Sequence, residues 1–143
     1  MEPTQTLSNE DKMIGMFSHF SIFLGGFIVP LVFWLIYREK SQFIRFHSLQ
    51  AIFFHVAYLV VMFVWIFIII FGAIGVGLST AAWHNHGGSG LIGLFFILFY
   101  GLLFLIAFGC FGYAVYMGIE SYHGKYVKYP LIGNVVFNHV FGE

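Results

Sequence analysis

The stretch SQFIRFHSLQA, residues 41–51, lies between two long apolar blocks of the chain. Within it a guanidinium, an imidazole and a side-chain amide come together, on Arg45, His47 and Gln50, where an apolar helix is expected to begin. Each of these groups needs water, a lipid headgroup or a partner side chain for its hydrogen bonds. We therefore expect this junction to organise the fold and to be the best candidate for a functional site.

The composition places the chain in a lipid bilayer. Of its 143 residues, 60% are apolar and only 8% are charged, and the mean hydropathy is +0.91. Soluble proteins carry about 25% charged residues. Twenty phenylalanines would cause aggregation on a surface in water, whereas lipid solvates them. Six cationic and six anionic side chains balance, so no nucleic-acid partner is indicated, and the predicted partner is the bilayer.

Three apolar blocks, residues 13–37, 46–78 and 90–119, predict an all-α fold. Ser8 with Asp11 three places on is a weak capping-box pattern, which predicts a helix start just ahead of the first block. We expect an integral membrane helical bundle of three to four transmembrane helices, followed by a short interfacial helix at the C-terminus. The expected domains are a short polar N-terminal segment (1–12), a transmembrane helical domain (13–129) and an interfacial C-terminal segment (130–143).

The first block can be interpreted in two ways. Gly25, Gly26 and Pro30 interrupt it, and proline removes an amide donor and clashes with the carbonyl four residues earlier. Either one kinked helix crosses the membrane, or two shorter helices form a hairpin with its tip at residues 25–30. Length favours the single kinked crossing, because each arm of a hairpin falls short of the ~17 residues that a crossing needs.

Glycines and other small residues mark the other two blocks. The second block is longer than an upright crossing requires, so it must tilt, kink or protrude, and glycines 72, 75 and 77 predict where its helix becomes irregular. In the third block Cys110, Ala114 and Gly118 recur at four-residue spacing. Small residues let membrane helices approach closely, so these three predict a helix-packing face.

The cations predict the orientation in the membrane. Arg38, Lys40 and Arg45 lie between the first two blocks, and Lys125 and Lys128 lie in the tail. The loop between the second and third blocks has no lysine or arginine. Because cytoplasmic loops carry the excess of cations, we expect a bacterial inner-membrane protein with a cytoplasmic C-terminus. The N-terminus lies outside if the first block crosses once and inside if it folds back.

The polar groups of the junction share one face of the predicted helix. At about 100° per residue, His47, Gln50, His55 and Tyr58 fall within one arc of roughly 140°. Buried in lipid, unpaired groups would each cost on the order of a few kcal/mol, so the arc should face another block. Arg45 lies just outside the arc, nearer the headgroups, where its guanidinium can bind lipid phosphate or an acidic partner such as Glu39 or Glu120. The candidate partners for the polar groups of the arc are His19, Tyr100, Tyr113 and Tyr116. The arc is either a structural clamp or a vestibule that receives a partner or ligand.

The residues needed for most catalytic chemistry are missing. The three blocks contain no Asp or Glu, and the chain has no Ser-His-Asp spacing, phosphate-binding glycine motif or cysteine cluster. His84 and His86 form a pair without a third ligand, which is a weak metal site. We therefore predict no enzyme activity, no cofactor and no metal.

Three segments resemble a known family. The runs PLVFWLIYREKS (30–41), FIRFHSLQA (43–51) and GKYVKYPLIG (124–133) resemble a bacterial family of small multi-pass membrane proteins that includes MamF and MmsF. The same runs are similar to the twenty-kilodalton subunit of Tic, the chloroplast inner-envelope protein translocon. The most specific matches are residues 45–47, 50–51 and 129–131. The resemblance implies about four membrane helices and does not by itself imply an activity.

Two classes of function remain open. One is a structural or assembly subunit of a membrane complex, and the other is a channel-forming or translocon-like subunit. Both would bring the chain into contact with other membrane proteins or with further copies of itself.

Overall fold

The computed structural model describes residues 6–24, 26–82 and 89–142. The helices are α1 (Asn9–Phe20), α2 (Ile28–Tyr37), α3 (Gln42–Ala82), α4 (Ser89–Tyr122) and α5 (Ile132–Phe141). A short 3-10 turn, Ser21–Phe23, follows α1, and the described ranges contain no strand. The prediction of an all-α fold is confirmed for this part of the chain.

Two of the helices are long and apolar enough to cross a membrane. The candidate spans are Gln42–Gly75 in α3 and Gly93–Tyr122 in α4, with 34 and 30 residues. Both exceed the ~20 residues of an upright crossing. The prediction that the helix becomes irregular at the glycine cluster is wrong, because α3 stays helical through glycines 72, 75 and 77 to Ala82. His84 and His86 lie outside the described residues.

The first apolar block is not one kinked helix. It forms α1, the 3-10 turn and α2, and Gly26 adopts a positive φ of 62° between the two helices. Pro30 stands in the first turn of α2, where its missing amide costs no helical hydrogen bond. The side chains of Tyr37 and Glu10 join the end of α2 to the start of α1 at 2.9 Å. The block therefore has the hairpin arrangement of the two interpretations, but the chain reverses between Phe20 and Ile28 and not at the predicted 25–30, since α2 begins at Ile28.

A capping box starts α1. The Ser8 hydroxyl accepts a hydrogen bond from the Asp11 amide at 3.0 Å, and the Asp11 carboxylate accepts one from the Ser8 amide at 3.0 Å. Each residue thus satisfies a donor that the helix itself leaves unpaired. The sequence pattern predicted this helix start.

The chain divides into two compact units. One, here called the two-helix unit, is Leu59–Cys110. In it the rings of Trp65 and Phe99 stack with centroids 4.4 Å apart, and Gly72 faces the ring of Phe96. None of the described side chains in this unit is buried, as expected for a pair of helices whose outer faces contact lipid.

The other unit, here called the polar-core unit, comprises Met1–Tyr58 and Phe111–Glu143. Its apolar core includes Phe43, Phe46 and Met117, each 0% exposed. After α4 ends, Gly124 turns the chain with a φ of 79°, and residues 125–129 continue without regular structure alongside α3. Val136 and Val140 of α5 then pack against Phe46.

A strained turn joins the non-helical segment to α5. Leu131 has φ 67° and ψ −52°, and the Ile132 amide donates to the Pro130 carbonyl at 2.8 Å. These values define a γ-turn of the rare classic type, which is unfavourable for a residue with a side chain. The turn points Leu131 outward with 90% of its surface exposed.

Candidate functional site

Buried polar side chains are concentrated in the polar-core unit. Among the described residues they are Ser18, His19, Ser21, Ser41, His47, Ser48, Gln50, His55 and Ser121. They come from α1, the turn after it, the first turns of α3 and the end of α4. None is a carboxylate, so this core is held by neutral hydrogen bonds.

A chain of hydrogen bonds connects α1, α3 and the segment 125–129. The Tyr129 hydroxyl lies 3.1 Å from His19 Nδ1, and His19 Nε2 lies 3.0 Å from His47 Nδ1. His47 Nε2 in turn lies 3.1 Å from the Lys125 carbonyl oxygen. Both imidazoles are fully buried. Each ring uses both of its nitrogens, which a neutral imidazole can do as one donor and one acceptor.

The carbonyl at the end of this chain fixes the tautomers. A carbonyl only accepts, so His47 carries its proton on Nε2 and accepts at Nδ1. His19 must then donate from Nε2 and accept at Nδ1, which leaves the Tyr129 hydroxyl as the donor to His19. We assign these tautomers from the hydrogen-bond network of neutral rings. The network is thus one directed chain from Tyr129 to the Lys125 carbonyl.

Gln50 binds the backbone of the same segment. Its Oε1 accepts from the Tyr129 amide at 2.9 Å, and its Nε2 donates to the Val127 carbonyl at 3.1 Å. The side-chain amide makes the two bonds that the N–H and C=O of one residue in a neighbouring parallel strand would make. A non-helical segment among apolar helices must find such partners for its backbone groups. His47 and Gln50 supply them.

The other residues predicted for the arc have different surroundings. His55 is 1% exposed and faces the backbone of His19 and Gly26, although neither ring nitrogen makes a hydrogen bond of ordinary geometry to a described residue. Tyr58 is half-buried, and its ring contacts Phe111 with centroids 5.7 Å apart. The Tyr129 ring stacks on Phe54 at 4.3 Å.

Close packing holds the N-terminal hairpin against α3 and α4. Ser18 and Ser48 share a hydrogen bond of 3.2 Å between their hydroxyls. A Cβ added to Gly15 would fall 2.8 Å from the Phe43 ring. A Cβ added to Gly118 would fall 2.7 Å from the Phe20 ring and 3.3 Å from a carbonyl of α1. Glycine is thus required at both contacts.

The predicted packing face is only partly used in this unit. Ala114 is 0% exposed and Gly118 contacts α1, so both lie in a helix interface. Cys110 belongs to the two-helix unit and is half-buried there. The expected partners of Arg45 are otherwise engaged: Glu120 pairs with Lys125 at 2.6 Å and Glu39 with Arg38 at 3.7 Å. Arg45 itself is half-buried.

Charged and phenolic groups gather where α1 and α3 begin and α2 and α4 end, here called the polar end of this unit. Burial raises the pKa of Asp11, but hydrogen bonds from Ser41 and Ser8 lower it by more, so the net pKa is lowered. The hydrogen bond to Glu10 raises the pKa of Tyr37. Burial raises the pKa of Tyr126 to about 12. Neutral phenols and an ionised Asp11 are therefore the stable forms here at neutral pH.

The three histidines of the core do not form a metal site. The described residues contain no group of three His, Cys, Asp or Glu side chains placed to hold a metal ion. The geometry gives the reason, because the nearest nitrogens of His19 and His47 face one another at 3.0 Å and bond together. Their lone pairs do not converge on a common point.

The tail is the part of the candidate site that sequence reasoning missed. The arc was expected to face the first block or the third, and His19 does lie beside His47. The carbonyls of Lys125 and Val127 and the amide of Tyr129 were not expected as partners. The amide and imidazole groups on α3 indicated that partners exist, but backbone carbonyls occur at every residue, so no signal in the sequence identified the tail.

Over the residues that the structure describes, the fold and the neutral polar core define a class: helical proteins with two apolar helices long enough to cross a membrane. The chain belongs to the MamF_MmsF family, described as the magnetosome magnetite crystal formation protein family, whose model matches residues 10–136. No curated protein and no solved structure matches the chain significantly. The similarity to the Tic subunit therefore stays a prediction.

Proposed function

We propose that the protein is a structural or assembly subunit of a membrane complex that takes part in magnetosome formation. Membership of the family supports the biological setting. One structural observation supports the structural role: both ring nitrogens of His47 and both polar atoms of Gln50 are bonded to the protein's own groups.

This observation favours the clamp over the vestibule. A vestibule keeps donors and acceptors available for an arriving partner, whereas a clamp uses them to hold its own elements together. His47 and Gln50 are 0% exposed, and they join α1 and the tail segment to α3. The arrangement serves to hold α1 and the tail segment in fixed positions on α3 within the membrane. No observation on the described residues favours the channel or translocon alternative.

The same proposal includes two membrane crossings, made by α3 and α4. With 12 and 10 residues, α1 and α2 rise about 18 and 15 Å, well short of the ~30 Å hydrocarbon core. Tyr37 returns to Glu10, so the hairpin ends on the side where it began. Both termini then lie in the cytoplasm, because the cations of the first loop and the tail mark that side. The membrane is the bacterial inner membrane or one derived from it.

The two-helix unit offers surface to other membrane proteins. Its described side chains are apolar and none is buried, and exposed phenylalanines such as Phe63, Phe71 and Phe95 are 61–65% exposed. Such a face contacts either lipid or neighbouring helices. A subunit that combines a rigid polar core with an open apolar face is suited to assembly.

Crosslinking in native membranes tests the proposal. A tagged chain is expected to crosslink to other membrane proteins of the magnetosome fraction, and its deletion is expected to change the magnetite crystals. Gln50→Leu should reduce the amount of folded protein and of complex together. If the chain instead crosslinks only to itself and purified protein conducts ions or peptides in vesicles, the subunit proposal is wrong and the channel alternative is right.

A further inference from the structure

The N-terminal hairpin ends part of the way along α3 and α4. Near its tip the backbone of His19 and Gly26 faces His55 of α3. Along the axis of α3, His55 lies about 20 Å from the start of the helix. On the other side the Phe23 ring stacks on Phe111 with centroids 5.2 Å apart, about 17 Å from the end of α4. Counted from helix ends at the headgroup level, both distances are at most about half of the ~40–45 Å that the bilayer spans with its headgroups.

The C-terminal hairpin, residues 125–141, follows the same course. Its non-helical arm meets His47 at Lys125 and Gln50 at Tyr129, so it moves along α3 away from the polar end. The γ-turn at Leu131 reverses it, and α5 returns to Phe46 through the rings of Phe137 and Phe141. Gln50 lies about 12 Å from the start of α3. This hairpin also enters and leaves on one side.

Both hairpins expose apolar surface where lipid chains would lie. On α2 the exposed side chains are Ile28, Val32, Leu35 and Ile36. At the tips Leu24 is 75% and Leu131 is 90% exposed. At the polar end Arg38 lies 5.2 Å above the Trp34 ring and Lys40 lies 5.6 Å from the Tyr37 ring, a pairing typical of the headgroup level.

We propose that the polar-core unit bends the membrane, because its two hairpins displace lipid from the cytoplasmic leaflet and not from the opposite one. Protein inserted into one leaflet enlarges the area of that leaflet alone. The bilayer relieves the mismatch by curving so that the enlarged leaflet is convex. The cytoplasmic face therefore becomes the outer face of a bud or tubule. This inference rests on the two-crossing topology of the proposed function, and it needs no partner protein.

Purified protein in vesicles of phosphatidylcholine and phosphatidylglycerol tests the inference. Cryo-electron microscopy should show vesicle diameters that fall as the protein-to-lipid ratio rises, with both termini on the convex side by protease access. Unchanged diameters, or termini enriched on the concave side, would overturn it. Because only protein and lipid are present, the result does not depend on whether a complex exists in the cell.

Charges at the two tips provide the matched comparison. A variant with Leu24→Asp and Leu131→Asp cannot keep its tips in hydrocarbon, so its vesicles should return towards the diameter of protein-free ones. The control, Leu24→Phe with Leu131→Phe, should behave as wild type. Equal diameters for the two variants would contradict the inference. If the charged variant does not fold, the vesicle diameters measured with wild-type protein, together with the side on which its termini lie, still test the inference.

A labelling experiment separates the bending from the topology. In a Cys110→Ser background, Leu24→Cys should resist water-soluble maleimide from both sides of the vesicle. Labelling from the side opposite to the termini would show a full crossing and overturn the two-crossing topology. Resistance to labelling together with unchanged vesicle diameters would overturn the bending alone.

Discussion

Gln50 and Tyr129 lie 79 positions apart in the chain and are joined by a hydrogen bond of 2.9 Å from the Tyr129 amide to the Gln50 side-chain oxygen. The same side chain donates to the carbonyl of Val127. One amide side chain on α3 therefore satisfies the backbone of a segment that has no helix of its own.

Replacing Gln50 by Leu should destabilise the folded protein. It leaves a buried amide and a buried carbonyl of the tail without partners, each costing about 1–3 kcal/mol. The midpoint of thermal unfolding in detergent should fall. Gln42→Leu, at an exposed glutamine of the same helix, is the control and should have little effect. Equal midpoints for both variants would show that the tail does not depend on Gln50.

Two glycines of α4 should respond oppositely to alanine. Gly118→Ala forces the new Cβ against the Phe20 ring and a carbonyl of α1, so it should lower the unfolding midpoint. Gly112→Ala places its Cβ in open space and should be neutral or stabilising, by up to about 1 kcal/mol. Matching losses of stability in the two variants would mean that α1 does not pack on Gly118.

The N-terminus should lie on the cytoplasmic side with the C-terminus. In the Cys110→Ser background, a cysteine at position 4 should be protected from a membrane-impermeant thiol reagent in intact cells and become reactive when the inner membrane is opened. A reporter fused after Glu143 should show the same sidedness. Reaction at position 4 in intact cells would indicate that the first block crosses the membrane.

Asp11 should stabilise the N-terminal hairpin at neutral pH and not in strong acid. Its pKa is lowered in the folded state, so its contribution is present above the unfolded pKa and is lost as the pH falls through the folded pKa, below 3.8. Asp11→Asn should therefore lower the free energy of unfolding at pH 7 by about 1 kcal/mol, as for other capping interactions, and the unfolding midpoint with it. The difference from wild type should disappear in acid. A constant difference across this pH range would exclude the carboxylate as the cause.

His19 and His47 should both carry their proton on Nε2. This follows from the carbonyl of Lys125, which can only accept, and from the contact of His19 Nε2 with His47 Nδ1. Solid-state nitrogen NMR of the protein in lipid distinguishes the tautomers by chemical shift. The exposed His123 and His139 serve as internal references. A proton on Nδ1 of His47 at neutral pH would contradict the directed chain.

Local patterns predicted a good part of this fold. Apolar length indicated α3 and α4, and the Ser8 and Asp11 pair indicated the start of α1, because both signals lie within a few residues of the structure they specify. Pro30 was harder to interpret, since proline breaks the middle of a helix but is accepted in its first turn. The sequence therefore left the hairpin and the kinked helix open.

The tail could not be predicted in the same way. The bonds from His47 and Gln50 go to backbone groups, and every residue offers a carbonyl, so no residue type near position 127 identifies the partner. A polar side chain on an apolar helix predicts that a hydrogen-bond partner exists, but it does not predict where in the chain that partner lies. The reversal at Leu131 was also invisible, because leucine at positive φ contradicts its own backbone preference and is imposed by the contacts on either side.

The directed chain of hydrogen bonds can be completed only after residues 125–129 have been synthesised. His19 and His47 leave the ribosome long before residues 125–129, which hold the carbonyl and hydroxyl that complete their bonding. Until residues 125–129 have been made, the membrane-inserted intermediate therefore contains imidazole and amide groups without their final partners. We expect chains that stop before Lys125 to be degraded by membrane proteases, because their buried imidazole and amide groups lack the partners that residues 125–129 supply.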